Sequence, residues 1–147
     1  MTADNINMLL KTFNLRLTEC RKDVIGVFME QHHAVSQPDL ELLLNHYDRV
    51  TLYRTLTTFL NKGIIHKVLD DTGLTKYALC SGHCTEHHHA DEHVHFKCVK
   101  CENTICIDTV SVPAITLPDG FTYLDASLLV RGICKICQTK YNHSPAI

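Results

Sequence analysis

The sequence lacks the features of a membrane protein, a secreted protein or a disordered chain. No stretch approaches the ~18 consecutive apolar residues that a transmembrane helix needs. Residues 1–10 carry Asp4 and no basic cluster ahead of an apolar run, so they do not resemble a signal peptide. Glycine and proline are scarce, at 6 and 4 residues, and 45% of the chain is apolar, which excludes wholesale disorder and fibrous repeats. We therefore expect a cytoplasmic protein with no membrane partner, built as one compact domain or two small ones.

The chain also lacks an excess of positive charge, because 14 Lys and Arg are set against 16 Asp and Glu. Overall charge therefore does not indicate a nucleic-acid partner, and any DNA-binding surface must come from local clustering. Metal-ligating side chains are abundant instead, with 8 Cys and 11 His. In a reducing compartment so many thiols favour metal binding or redox chemistry over a disulfide framework.

The first half of the chain is patterned as helices followed by a β-hairpin. Apolar periodicity and capping residues predict four helices. The first two run over 5–13 and from Thr18 to about 31. The third begins at a capping box of Ser36 and Asp39 and has Leu40, Leu43 and Leu44 on its buried side, and the fourth runs over 49–62 between Asp48 and Gly63. Strands over 64–69 and 76–80 flank a turn at 70–73. This order predicts a winged helix-turn-helix over 1–82, and the alternative is a small helical domain with an incidental hairpin.

The second half is patterned as a small sheet. A polar, His-rich loop over 83–93 comes first, and strand-like runs follow over 94–97, 104–109 and 121–130. Prolines between the last two runs leave little room for a long helix. Because a domain of this length buries only a small core, we expect metal to stabilise the domain over 94–147. The predicted fold class is α+β.

Two Cys-x-x-Cys pairs predict a closed metal site. Cys98 and Cys101 form one pair, and Cys134 and Cys137 form the other. Each pair directs two thiolates at one centre, and two pairs complete the tetrahedral four-sulfur arrangement of a structural zinc site. Soft ligands in this geometry favour Zn²⁺ over Mg²⁺, Ca²⁺ or Mn²⁺. The alternatives are dithiol–disulfide switches or unrelated thiols.

A second metal site is predicted from side chains outside these pairs. His93 and His95 alternate along one strand, so both project from the same face. A turn at 71–73 makes His66 and Cys80 near-partners across the hairpin. Together the four residues offer an N₃S tetrahedron, which suits Zn²⁺ best. Because each half of the chain supplies two ligands, we expect metal to stabilise one arrangement of the halves and so to regulate the protein.

The other histidines and cysteines are weaker candidates. Taken singly, His66 is also explained as an exposed strand residue and Cys80 as a buried apolar one. His33 is a further candidate ligand of the second site. Loop residues that could bind extra metal, or are simply solvated, are His83, Cys84 and 87–89. Cys20 and Cys106 lie in apolar-periodic segments and are interpreted as buried filler.

An enzyme is the alternative from another class. A catalytic zinc ion needs an open coordination position and a nearby general base, and the chain has no HExxH motif. A dithiol oxidoreductase needs one accessible Cys-x-x-Cys pair in a βαβ setting, which the pattern does not provide. We therefore expect neither a metal-dependent hydrolase nor a redox enzyme, and no small-molecule substrate.

Several segments resemble the ferric uptake regulator superfamily in order and spacing, over nearly the whole chain. They are Asp48-Arg-Val-Thr-Leu-Tyr-Arg-Thr-Leu56, Lys62-Gly63-Ile-Ile, His93-x-His95-x-x-Cys98-x-x-Cys101 and Gly132-x-Cys134-x-x-Cys137. This superfamily comprises bacterial metal-responsive transcription repressors. The resemblance implies an N-terminal winged-helix DNA-binding domain, a C-terminal α/β dimerisation domain, and a homodimer that binds a palindromic, AT-rich DNA operator.

Within the superfamily, the chain looks most like the zinc uptake regulator branch. Cys80, with a ligand fourteen residues upstream at His66, matches that branch, whereas iron-type members carry a carboxylate at the position of Ala78. A further family site uses an acid and a His where this chain has Pro113 and Ala126, so we expect that site to be absent. The resemblance thus implies two zinc ions per chain, one structural and one regulatory.

An iron- or peroxide-sensing repressor of the same superfamily is the alternative. Iron or manganese at the regulatory site would need oxygen ligands, for which Asp91, Glu92 and Asp108 are the candidates.

The helix over 49–62 is the one that a helix-turn-helix places in the major groove. Arg54 can pair bidentately with guanine, and Tyr53 or Thr51 can contact a thymine methyl group. In the family a Tyr–Arg pair at the positions of Tyr53 and Arg54 reads bases. Arg49 and Thr55 are placed for phosphates, and Arg16 matches a basic residue that contacts DNA. The alternatives to DNA contact are that Tyr53 packs against the hairpin and that Arg54 lies on a solvated face of the helix. The sequence therefore predicts a zinc-dependent dimeric repressor of zinc-acquisition genes.

Overall fold

The computed structural model describes residues 2–80 and 93–142, without the side chains of 141 and 142. The chain divides into two compact units, Met1–Asp91 and Glu92–Ile147. This division falls within the loop predicted over 83–93, and the candidate residues His83, Cys84 and 87–89 lie outside the described residues. Among the described helices, none is long and apolar enough to cross a membrane.

The first unit is built from capped helices, each ending where the local sequence signals it. The helices are α1 Ala3–Thr12, α2 Glu19–Glu30, α3 Gln37–Leu43 and α4 Arg49–Lys62. The Thr18 hydroxyl accepts the Arg21 N–H at 3.3 Å, and the capping box of Ser36 and Asp39 is formed in both directions. Gly63 ends α4 in the left-handed conformation at φ 76°, which favours glycine.

A small antiparallel sheet completes the first unit. Its strands are β1 Val35–Ser36, β2 Ile65–Val68 and β3 Lys76–Leu79, in the order β1-β3-β2. β1 is too short to be recognised by alternation and was not predicted. The hairpin β2–β3 follows α4, so this unit is a winged helix-turn-helix with α3 and α4 as the paired helices.

The apolar helix faces meet in one core in the first unit. Its largest fully buried side chains include Leu10, Ile25, Leu40, Leu52 and Phe59. Each contributes on the order of 1.5–3 kcal/mol by leaving water. The prediction for Leu43 was wrong, because its side chain is 51% exposed. Leu40 and Leu44, four residues apart, are buried as predicted, whereas Leu43 at the end of α3 lies off this buried side.

The second unit is a three-stranded sheet followed by a short helix. Its elements are β4 His93–Cys98, β5 Thr104–Ser111, β6 Leu128–Gly132 and α5 Lys135–Asn142. β4 lies in the centre, antiparallel to β5 and parallel to β6. α5 was not predicted from the sequence.

The third strand begins later than predicted. Alternating apolar residues favoured a strand over 121–130, but β6 begins at Leu128 and Phe121 is 68% exposed. The physical reason is that β4 offers β6 partners only from Val94 to Cys98. The earlier part of the predicted strand therefore has no β4 partner along which to form a ladder.

Candidate metal centres and DNA-binding face

The four cysteines of the Cys-x-x-Cys pairs come together in the second unit. Cys98 ends β4, Cys101 lies in the following turn, Cys134 precedes α5 and Cys137 lies in its first turn. All four sulfur atoms lie within 4.8 Å of one another, and those of Cys101 and Cys134 are 4.0 Å apart. Tetrahedral zinc with Zn–S bonds of ~2.3 Å places its sulfurs about 3.8 Å apart. The arrangement therefore fits a closed four-sulfur zinc site.

Backbone amides prepare this site for thiolate ligands. The Cys98 sulfur accepts the N–H of Cys134 at 3.3 Å and that of Lys100 at 3.4 Å. Backbone donors, above all that of Cys134, lower the pKa of Cys98 to about 6. Burial, with the neighbouring thiols adding to it, raises the pKa of Cys137 to about 12. Cys98 therefore ionises more readily than Cys137, and a bound cation would supply positive charge that favours the thiolate form.

The turn that carries Cys101 is held by the backbone as well as by any metal. Glu102 adopts the left-handed conformation at φ 62°, which a non-glycine residue seldom adopts. Its N–H donates to the Cys98 carbonyl at 3.0 Å, and the Val99 N–H donates to the Gly132 carbonyl at 2.8 Å. The second bond joins the strand end that carries Cys98 to the strand end that leads to Cys134.

In the first unit, the candidate ligands His66 and Cys80 lie close together at the base of the hairpin. His66 on β2 pairs with Ala78, and the Cys80 N–H donates to the Ile64 carbonyl at 2.9 Å. Positions 66 and 80 are therefore diagonal neighbours, as the hairpin turn indicated. The His66 Nδ1 and the Cys80 sulfur are 3.5 Å apart. His66 is buried, so it is not an exposed strand residue.

In the second unit, the candidate ligands His93 and His95 also lie close together. Both are buried on β4, and their ring centroids are 4.6 Å apart. Cys106 on β5 is the register partner of His95. One ligand atom from each of the three residues lies within 4.8 Å of the others. Cys106 was not predicted as a candidate ligand, because only the strand register shows that it faces His95.

The remaining candidate ligands are less well placed. The Asp108 carboxylate lies 4.0 Å from the His93 Nε2 and is more than half exposed. Asp91 and Glu92 lie outside the described residues. The His33 Nδ1 is 2.9 Å from the Ala34 carbonyl oxygen, and His33 belongs to neither of the clusters of metal-ligating side chains found among the described residues.

The outer face of α4 presents the residues predicted to contact DNA. Tyr53 is 57% exposed, and Arg54 is also exposed. The exposed Arg49 forms an ion pair through its Nε with the partly buried Glu41 carboxylate at 3.2 Å. The Thr51 hydroxyl donates to the Asp48 carboxylate at 2.9 Å, which leaves its methyl group for apolar contact.

Thr55 is a correction to this face. It is only 7% exposed, and its hydroxyl donates to the Thr51 carbonyl at 3.0 Å and lies 3.5 Å from the Cys20 sulfur. Leu52, Thr55, Leu56 and Phe59 form the buried stripe of α4, at the spacing expected for one helix face. Thr55 is therefore a packing residue and not a phosphate contact.

Arg16 lies ahead of α2 and is exposed. The Arg21 guanidinium donates to the Arg16 carbonyl at 3.0 Å, so the backbone that carries Arg16 is tied to the start of α2.

Comparison with known proteins gives the family context of these sites. Residues 12–117 match the ferric uptake regulator family. The ferric uptake regulation protein of Staphylococcus aureus (strain Mu50) is 31% identical over 143 residues, covering 94% of this chain and 99% of that protein. The corresponding protein of Neisseria gonorrhoeae is 29% identical over 141 residues, with 89% and 92% covered. The solved structure of a zinc uptake regulator complexed with zinc and DNA shares the fold at a TM-score of 0.62 and 21% identity, with 95% of each chain covered.

Proposed function

Because the chain belongs to the ferric uptake regulator family, whose members are metal-responsive DNA-binding transcription regulators, we propose that it is a cytoplasmic zinc sensor that represses metal-uptake genes. In this proposal residues 1–82 bind DNA and residues 94–147 form a zinc-stabilised dimerisation domain. The observation that carries the choice of zinc is the donor chemistry. The described clusters of metal-ligating side chains offer only thiol and imidazole ligands, which suit Zn²⁺ better than Fe²⁺ or Mn²⁺.

The structural zinc ion is assigned to the four cysteines of the second unit. A tetrahedral ion bound by Cys98, Cys101, Cys134 and Cys137 has no open coordination position. This site therefore stabilises the sheet and leaves no position at which a substrate could bind. Structural zinc contributes apparent binding energies of ~10–16 kcal/mol in zinc-finger peptides. A unit of this size depends on such a contribution.

The regulatory zinc site is assigned to His66 and Cys80 of the first unit with His93 and His95 of the second. His66, His93 and His95 are buried and Cys80 is half-buried. The two residues that each unit supplies lie close together. An ion that takes ligands from both units binds one arrangement of the chain in preference to others. Zinc concentration thereby sets the population of that arrangement by mass action.

The DNA-binding face is assigned to the exposed residues of α4 together with Arg16. Arg54 and Tyr53 read bases in the major groove, Thr51 contacts a thymine methyl group, and Arg49 binds phosphate. Arg16 contacts DNA next to the recognition helix. Thr55 is not part of this assignment because it is buried.

The repressor is proposed to act as a homodimer on a palindromic, AT-rich operator. Large apolar side chains are exposed in the second unit at positions that a dimer interface would cover: they include Phe121, Leu124, Val130 and Ile136. Two copies present two recognition helices, and operator symmetry then follows from the symmetry of the dimer. Filling the regulatory site sets the spacing of these helices. A coupling of ~1–3 kcal/mol changes DNA affinity by about 5- to 150-fold.

The choice of metal is tested by comparing ions on the same protein. Genomic fragments retained by the zinc-loaded protein identify the operator, and fluorescence anisotropy then gives its affinity with Zn²⁺, Fe²⁺ or Mn²⁺ added anaerobically to protein that holds one zinc per chain. We expect Zn²⁺ to strengthen operator binding at the lowest free concentration. Stronger binding with Fe²⁺ or Mn²⁺ at lower free concentration than with Zn²⁺ would contradict a zinc sensor.

An iron sensor is the second candidate, because the Asp108 carboxylate is 4.0 Å from the His93 Nε2 and could supply an oxygen ligand. Asp108→Asn separates the two functions. An iron sensor would lose its response to Fe²⁺, whereas a zinc sensor that uses thiolate and imidazole keeps its response to Zn²⁺.

A further inference from the structure

We propose that the Glu41 carboxylate attenuates DNA binding by sharing Arg49 with the DNA phosphates. The inference rests on the proposed function, in which Arg49 binds phosphate, and extends it to a residue of α3. Glu41 then sets how strongly the protein binds DNA of any sequence, while Tyr53 and Arg54 read the bases.

The Glu41 carboxylate is held in place by donors from two helices. Gln37 lies four residues earlier on the same face of α3, and its side-chain amide donates to the Glu41 Oε1 at 3.0 Å. The Arg49 Nε lies 3.2 Å from the same oxygen. The Glu41 side chain is only 25% exposed, so packing restricts it. The ion pair therefore joins α3 to the first residue of α4.

Arg49 stays accessible to a phosphate while it is paired with Glu41. Its side chain is 79% exposed, and a guanidinium carries five N–H donors, of which the Nε provides one. Arg49 also lies at the N-terminal end of α4, the end at which a recognition helix contacts DNA. A phosphate that binds there meets an arginine whose charge is already partly compensated by a carboxylate.

The other charges of the protein act in the same direction. The N-cap Asp48 adds a second carboxylate at the start of α4, and the hydrogen bond from the Thr51 N–H lowers its pKa and so favours the ionised form. The whole chain has a net charge of −2. A low attraction to phosphate leaves base contacts and the metal response to decide binding. This suits a regulator, because a genome offers a large excess of non-specific sites.

A variant that removes only the charge tests the attenuation. Glu41→Gln keeps a side-chain oxygen that can accept from Gln37 and Arg49 but is neutral. Fluorescence anisotropy follows binding of the full-length, zinc-loaded protein to a random-sequence duplex over a range of salt concentrations. We expect Glu41→Gln to bind about 3- to 8-fold more tightly at ~0.1 M salt. The slope of log K against log salt should steepen by up to ~0.9, the value of one phosphate contact.

A matched control separates this effect from a general change of charge. Glu30→Gln removes one exposed carboxylate at the end of α2, in the same unit. Its affinity and salt slope should match those of the wild type. Circular dichroism of both variants should show the helix content of the wild type, so that a change in DNA binding is not a change of fold.

A double variant tests whether Glu41 acts through Arg49. In an Arg49→Ala background, Glu41→Gln should give no gain in affinity and no change in salt slope, because the cation that carboxylate and phosphate share is gone. Unchanged or weaker binding of Glu41→Gln to the random duplex, or the same gain with and without Arg49, would overturn the role of Glu41. Failure of the zinc-loaded wild type to prefer operator over the random duplex would overturn the proposed function instead, so the two failures are distinguishable.

Discussion

Arg54 is the side chain that we propose carries most sequence specificity. It is exposed on α4, and bidentate pairing of Arg with guanine discriminates against a wrong base. We predict that Arg54→Ala weakens operator binding by ~1–3 kcal/mol and leaves binding to random DNA much less affected.

Arg49→Ala is the matched control for Arg54, because a phosphate contact is lost equally on any sequence. Competition of labelled operator against unlabelled random duplex, at one salt concentration, measures both. Equal losses on operator and random DNA for Arg54→Ala would show that Arg54 also contacts only the backbone.

Gly132 is a residue whose lack of a side chain matters for packing. A Cβ at Gly132 would lie 3.1 Å from the Phe96 ring, whereas a Cβ at Gly26 in α2 would meet nothing within 4 Å. We predict that Gly132→Ala destabilises the second unit by ~1–3 kcal/mol through overpacking. Gly26→Ala should instead stabilise the first unit by up to ~1 kcal/mol, because alanine favours a helix.

Denaturant unfolding of the zinc-loaded protein, followed by circular dichroism, measures both glycine variants. If Gly132→Ala unfolds at the same denaturant concentration as wild type, the Phe96 ring moves aside without loss of stability, and the predicted overpacking is contradicted.

Residue-scale prediction succeeded where the chemistry was local and failed where it depended on register. Cys98, Cys101, Cys134 and Cys137 were grouped from spacing alone, and the structure brings their sulfurs together. Cys106 was missed because its partner His95 lies on another strand, and no local pattern specifies which residues face each other across β4 and β5.

At the scale of elements, α4 is the helix that we propose for DNA recognition, and Asp48 caps its first turn. The Asp48 carboxylate accepts the Thr51 N–H at 2.8 Å, and this hydrogen bond is the main cause that lowers the Asp48 pKa below its usual 3.8. The folded state therefore favours the ionised carboxylate. Its stabilising contribution is present above about pH 3.8 and is lost as the pH falls through the lowered pKa.

We predict that Asp48→Asn removes this pH dependence while retaining a capping side chain, since Asn and Asp cap helices comparably. The measurement is helix content by circular dichroism across pH 2.5 to 6 for both proteins, with the difference between them as the readout. A wild-type curve that parallels the Asn variant throughout would show that the Asp48 charge plays no part in holding α4.

The bounds of elements were predictable where they depend on capping and were not where they depend on partners. α4 begins at Arg49 and ends at Lys62 as the sequence indicated, because Asp48 and Gly63 act on adjacent backbone groups. β6 begins seven residues later than predicted, at Leu128 in place of 121, because strand length depends on the neighbouring β4. α5 was missed because its eight residues are mostly polar and include too few apolar side chains to show a helical repeat.

At the scale of the whole molecule, the exposed apolar side chains of the second unit indicate how copies assemble. Leu124 is 85% exposed, an unfavourable position for a large apolar residue unless another surface covers it. We predict that Leu124→Glu shifts the protein from dimer towards monomer, because a charge is costly in a buried interface. Leu42→Glu in the first unit is the control, because Leu42 is also strongly exposed but lies outside the second unit.

Sedimentation equilibrium of the zinc-loaded variants distinguishes the outcomes. Wild type and Leu42→Glu should have the mass of a dimer, and Leu124→Glu should approach that of a single chain. A dimer of unchanged stability in Leu124→Glu would place the interface elsewhere.

The most direct test of the account is operator affinity as a function of zinc occupancy in a single preparation. Protein that holds one zinc per chain, with its structural site filled, is titrated with buffered free Zn²⁺ while anisotropy follows operator binding. We predict that filling the second site raises operator affinity by about 5- to 150-fold, and that His95→Ala abolishes the rise while retaining the first zinc. Equal operator affinity with one and two zinc ions per chain would contradict it.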